Sequence, residues 1–97
     1  MIPEGTRGDI ELLVRALVAA WNGRRPAEEH LRMPQPAVMR LEEDDRGEGW
    51  AFVVVERADP ESRFPYHYAL SYLEDEAAQQ QHEHVNVLLV PVLPPAE

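Results

Sequence analysis

The chain has 97 residues, is 44% hydrophobic, and carries 18 acidic against 9 basic side chains, for a formal net charge of -9. That length supports one domain with a single core. So negative a surface is repelled by nucleic-acid phosphates and anionic membranes, which argues against direct binding to either, and the absence of cysteine excludes disulfides and thiolate metal sites within the chain.

Residues 1–97 read as one domain with mobile ends at about 1–6 and 94–97. Met1 to Gly5 lacks the basic and apolar regions of a signal peptide. The longest apolar run, Val87 to Leu93, is too short to span a bilayer and contains Pro91. With no cysteine besides, the expected location is cytoplasmic. All nine basic residues are arginines.

Ile10, Leu13, Val14, Leu17, Val18 and Trp21 recur at helical spacing and form one apolar stripe. Thr6 or Asp9 supplies the cap, and Glu11 and Arg15 pair four apart. Asn22-Gly23 ends the helix, with Gly23 expected in the left-handed conformation. Ala16, Ala19 and Ala20 form a ridge suited to close approach by another element. Residues 24–36 connect, with a helical turn over 27–32 after Pro26.

Ala37 to Glu42 alternates as a half-buried strand, and the acidic turn at 43–49 folds it into a hairpin with Trp50 to Arg57. That second run is the most β-prone in the chain and reads as the central strand. Asp59 to Ser62 makes the next turn. Tyr66 to Leu73 reads as a third strand, with Tyr66, Tyr68, Leu70 and Tyr72 on one face. Residues 74–82 hold good helix formers without an apolar stripe and read as a loop with a helical turn. His84 to Val92 closes the sheet. The expected fold is α+β: one N-terminal helix packed on a four-stranded antiparallel meander, in the order α-β-β-β-β.

No catalytic residue, metal site or cofactor is assigned. Ser62 and Ser71 lie outside any nucleophile elbow, and the glycines sit singly rather than in a phosphate loop. His82 and His84 share one face of a strand, and His67 lies between two tyrosines, but neither arrangement completes a metal or acid–base site. The acids Glu42, Glu43, Asp44, Asp45 and Glu48 gather at the first turn, with smaller clusters at Glu74 to Glu76 and at Asp59 and Glu61. Trp21 and Trp50 read as packing residues.

The functional expectation is a small acidic protein-binding module, inhibitor-, immunity- or adaptor-like, leaning away from an enzyme. It acts through a sheet face or edge, with Tyr66, Tyr68 and Tyr72 on that face, and through the acidic turn. The partner is a protein with a basic surface, or a second copy of the chain. The alternative is a ligand-binding protein or enzyme with a pocket between helix and sheet, lined by Trp21, Phe52, Tyr66, His67 and Tyr68.

Overall fold

The computed structural model of the chain describes residues 5–80 and 85–91. Helix α1 (Thr6–Asn22) leads through a 3-10 turn (Ala27–Glu29) to strands β1 (Leu31–Arg32), β2 (Met39–Glu43), β3 (Gly49–Val54) and β4 (Glu56–Arg57). Helix α2 (His67–Gln80) follows, and β5 (Val85–Val90) comes last. The α+β class holds. No helix among the described residues is long and apolar enough to cross a membrane.

Strand β3 is central. It pairs antiparallel with β2 on one side and parallel with β5 on the other. Strands β1 and β4 form a separate antiparallel pair. Between the β1–β4 and β2–β3 ladders, residues 33–38 bow out opposite only Val54 and Val55. Pro34 and Pro36 lie in that bow, where the missing N–H of proline breaks no ladder.

The four-stranded antiparallel meander is therefore corrected. The segment expected as a third strand, Tyr66 to Leu73, enters α2, and the expected loop at 74–82 is helical through Gln80. The physical reason lies in the spacing of Ala69, Leu70, Leu73 and Ala77, all buried. Those positions form one face at a period of 3.6, whereas a strand would turn Leu70 and Leu73 to opposite faces. With a helix between them, β3 and β5 run parallel, as a crossover of this length allows. The ends of the expected last strand, at His84 and Val92, lie outside the described residues.

Helix α1 keeps its expected stripe. Ile10, Val14, Leu17, Val18 and Trp21 are buried, with Leu13 packed against them. Glu11 and Arg15 pair at 3.2 Å. Its ends differ from expectation. Gly5, at φ 94°, is the N-cap, with no side-chain cap bond, and Thr6 is buried. Gly23 is right-handed at φ -66°, because its N–H continues the helical pattern to the Ala19 carbonyl. Ala16, Ala19 and Ala20 are exposed. Polar bonds also tie the helix end to the segment that follows it. The Asn22 side chain donates to the Leu31 carbonyl and accepts from the Leu31 N–H, both at 2.8 Å, and the Trp21 indole donates to the Glu29 carbonyl at 2.8 Å.

Both helices share one buried cluster with Met39, Ala51, Val53, Val55, Val85, Val87 and Leu89. All the strand residues in that cluster are odd-numbered, so the helices cover one face of the three-stranded sheet. The sheet's two outer strands are each touched by a helix side chain. Arg7 donates to the Met39 carbonyl of β2 at 3.1 Å, and the Leu89 N–H of β5 donates to Glu74 at 2.8 Å. Side chains placed this way block an incoming strand at those points. Glu74 thus belongs to the helix interior and to the sheet edge, not to an acidic turn.

The helical reading of α2 makes a stability prediction. Leu70→Ala and Leu73→Ala should each cost about 2–5 kcal/mol in denaturant unfolding, because both side chains lose buried packing. Ser71→Gly, on the exposed side between them, should cost about 0.5–1 kcal/mol relative to Ser71→Ala. Equal costs for glycine and alanine at position 71 would count against the helix.

Candidate functional site

The face of the sheet turned away from the helices is built from the even-numbered residues of the same strands. Register places them in three rows. Glu42, Trp50 and Asn86 form the row nearest the hairpin turn; Arg40, Phe52 and Leu88 form the next. Val54 and Val90 continue into a third row, where the Val54 N–H donates to the Val38 carbonyl at 3.0 Å. Polarity therefore falls with distance from the turn. Trp50, Phe52, Leu88 and Val90 are half-buried, and Val38 is 39% exposed. None of them belongs to the cluster covered by the helices.

The sequence forces this arrangement. Residues 50–55 are apolar at both parities, so a strand made from them is apolar on both faces. The helices take Ala51, Val53 and Val55. Trp50, Phe52 and Val54 stay outside that cluster; Val54 is buried all the same, whereas Trp50 and Phe52 are half-buried. The middle row is partly screened: the Arg40 guanidinium lies 5.3 Å from the centre of the Phe52 ring and 3.0 Å from the Glu42 carboxylate. Arg40 is thus neutralised on the surface and offers a partner little net charge.

The turn that borders this face is organised by Asp44. Its Oδ1 accepts from the N–H groups of Arg46 and Glu48, both at 2.9 Å, and its Oδ2 accepts from the Trp50 indole at 3.0 Å. The Gly47 N–H closes the turn onto the Asp44 carbonyl at 3.0 Å. Gly47 then takes φ 80°, which returns the chain to pair Asp44 with Glu48. The indole bond, then the backbone bond from Glu48, hold the Asp44 carboxyl below its ordinary value of 3.8. Of the five acids singled out in this turn, Asp44 is structural and Glu42 is tied to Arg40. Asp45 and Glu48 are exposed at the bend, and Glu43 ends β2.

The tyrosines lie elsewhere. Tyr66 precedes α2 and is stacked under the Arg57 guanidinium at 4.3 Å, while Arg57 donates twice to the Phe64 carbonyl, at 3.1 and 2.7 Å. Tyr68 is 71% exposed on the first turn of α2, with the His67 ring 4.9 Å away. Tyr72, 41% exposed, stands 5.8 Å from Trp21. The aromatic row expected on a sheet face is corrected: two of these residues lie on a helix and the third on its lead-in. The residues expected to line a helix–sheet pocket are not brought together. Trp21 is buried in the core, Phe52 is on the opposite face of the sheet, and His67 and Tyr68 are exposed. Trp50 keeps a structural role, but through its indole N–H rather than deep burial. His82 and His84 lie outside the described residues, and among the described residues no three His, Cys, Asp or Glu side chains gather as a metal site.

Because the Asp44 carboxyl sits below its unfolded value, its ionised form is the one the fold prefers. Its contribution is present above the ordinary carboxylate range and is lost as pH falls through the lowered value. The Trp50 indole N–H resonance should titrate with a midpoint below 3.8, and Asp44→Asn should abolish that step and lower the melting temperature at neutral pH. A midpoint at or above the ordinary value would contradict the bond.

The chain has no match among protein-family models, curated proteins or solved structures.

Proposed function

We propose that the chain is a protein-binding module whose contact surface is the open sheet face together with the acidic hairpin turn. The partner presents an amphipathic segment carrying Arg or Lys, and the setting is cytoplasmic. The observation that carries this reading is the half-buried group of Trp50, Phe52, Leu88 and Val90 on a face that shares no residue with the helix-covered core. Strands paired in parallel are ordinarily covered on both sides, and this sheet is covered by its own helices on one.

Size narrows the partner. Three strands span about 10 Å between the outer two, and three alternate positions about 14 Å along the strands. That is far less than the roughly 800 Å² each side contributes to a standard interface, and close to the roughly 10 Å width of one helix. A single helix laid across Phe52 and Leu88 completes the second layer. Charge then sets its chemistry. Asp45 and Glu48 stand exposed beside the upper row in a chain of net charge -9, so basic residues on the segment find a complementary rim. The same charge opposes a second copy, whose turn would carry the same sign.

The test is a peptide-display selection on the immobilised chain at low salt. Enriched peptides should combine spaced apolar residues with Arg or Lys. Leu88→Ser should weaken a selected peptide about tenfold or more, at unchanged fold by circular dichroism. Asp45→Arg with Glu48→Arg should weaken it and flatten its salt dependence. Enrichment of acidic peptides, or binding indifferent to both variants, would sink the reading. A solution mass showing a dimer that Leu88→Ser dissolves would assign the face to self-association instead.

A further inference from the structure

We infer that the depression at the C-terminal end of α1 binds a small aromatic anion, a planar ring carrying a carboxylate or phosphate group. The depression measures ≈ 200 Å³ and is lined by Trp21, Arg24, Arg25 and Tyr72. It shares no residue with the open sheet face, so it stands or falls separately from the function proposed above.

In a chain of net charge -9, two successive arginines line one concavity, and Glu29 pairs with Arg25 there. The Arg25 guanidinium lies over the Trp21 ring, 4.1 Å from its centre, a stacking that orients a planar fork. Its Nη1 stands 3.5 Å from the Glu29 carboxylate, long for a hydrogen bond. The Arg25 carbonyl is 2.8 Å from the His30 ring nitrogen, which fixes the backbone beneath. Arg24 donates from Nε to the Ala20 carbonyl at 3.3 Å, using one of its five N–H donors. An arginine placed only to satisfy a helix end accounts for that bond. It does not account for the stacked Arg25 beside it or for the concavity.

The aromatic part is equally fixed. Trp21 is 5% exposed and its indole N–H is engaged by the Glu29 carbonyl, so its ring cannot swing out. Tyr72 is 41% exposed, with its ring tilted 50° to Trp21. A ligand ring packs on Tyr72 while its anionic group bridges the two guanidinium groups. The volume of ≈ 200 Å³ is below the roughly 300–1,000 Å³ of drug-sized sites, which restricts the ligand to a single ring. Glu29 is a built-in competitor for Arg25.

The experiment follows the Trp21 indole N–H and the arginine Nε–H resonances of the full chain during titration with benzoate and with phenyl phosphate. Trp50, whose indole is bonded to Asp44, serves as the internal control. The Trp21 and Arg24 signals should shift saturably while Trp50 does not. Acetate and benzyl alcohol, each lacking one half of the ligand, should bind about tenfold more weakly or not at all. Arg24→Gln should weaken benzoate about fivefold or more, whereas Glu29→Gln should tighten it about two- to fivefold. A stronger response to phenyl phosphate than to benzoate assigns the natural source to a phosphorylated ring, and the reverse to an aryl carboxylate. Acetate as effective as benzoate, or affinity unchanged in Arg24→Gln, overturns the site.

Discussion

The pairing of β3 with neighbours of opposite sense is the constraint on which the rest of the molecule depends. Its antiparallel ladder with β2 needs only a tight turn, and Asp44 and Gly47 build one. Its parallel ladder with β5 needs the chain to travel back to the same end of the sheet. Helix α2 makes that return, and its buried face of Ala69, Leu70, Leu73 and Ala77 must then lie on the sheet. Helix α1 joins it on the same side, held by its apolar stripe and by the bonds from Trp21 and Asn22 to the following connector. Two helices on one side leave the other side of β3 without an equivalent cover among the described residues.

Much of this was legible from residues. The stripe of α1, the hairpin and the centrality of the valine-rich strand all follow from periodicity and turn chemistry, and the structure keeps them. The second helix was hidden by a division at Leu73. Tyr66 to Leu73 is rich in residues favoured in strands, and Glu74 to Gln80 holds helix formers with little apolar content. Each half misleads alone. Joined, they give buried positions at 69, 70, 73 and 77, a single helical face. Tertiary packing against the sheet decides between the readings, and no local propensity reports it. The two-residue strands β1 and β4 were similarly invisible, since two residues carry no period.

The candidate contact surface was half legible. The sequence marks the acidic turn, and the structure places Asp45 and Glu48 exposed there. It also shows that a carboxylate in a turn need not await a partner: Asp44 is occupied by its own hairpin. Alternation assigns the tyrosines to a sheet face, and a helix at the same residues removes them from it. The signal for the surface lay instead in the missing alternation of residues 50–55. A strand that is apolar at both parities calls for two covers, and the described helices provide one.

Solvent access to the methyl groups of β5 tests this account most directly. A soluble paramagnetic agent, added to dilute methyl-labelled protein, should strongly relax the methyls of Leu88 and Val90 and spare those of Val85, Val87 and Leu89. That alternation reads out both the register of β5 and the open side of the sheet. Equal protection of the two sets would mean that the even-numbered face is covered within the monomer, and the account would be contradicted.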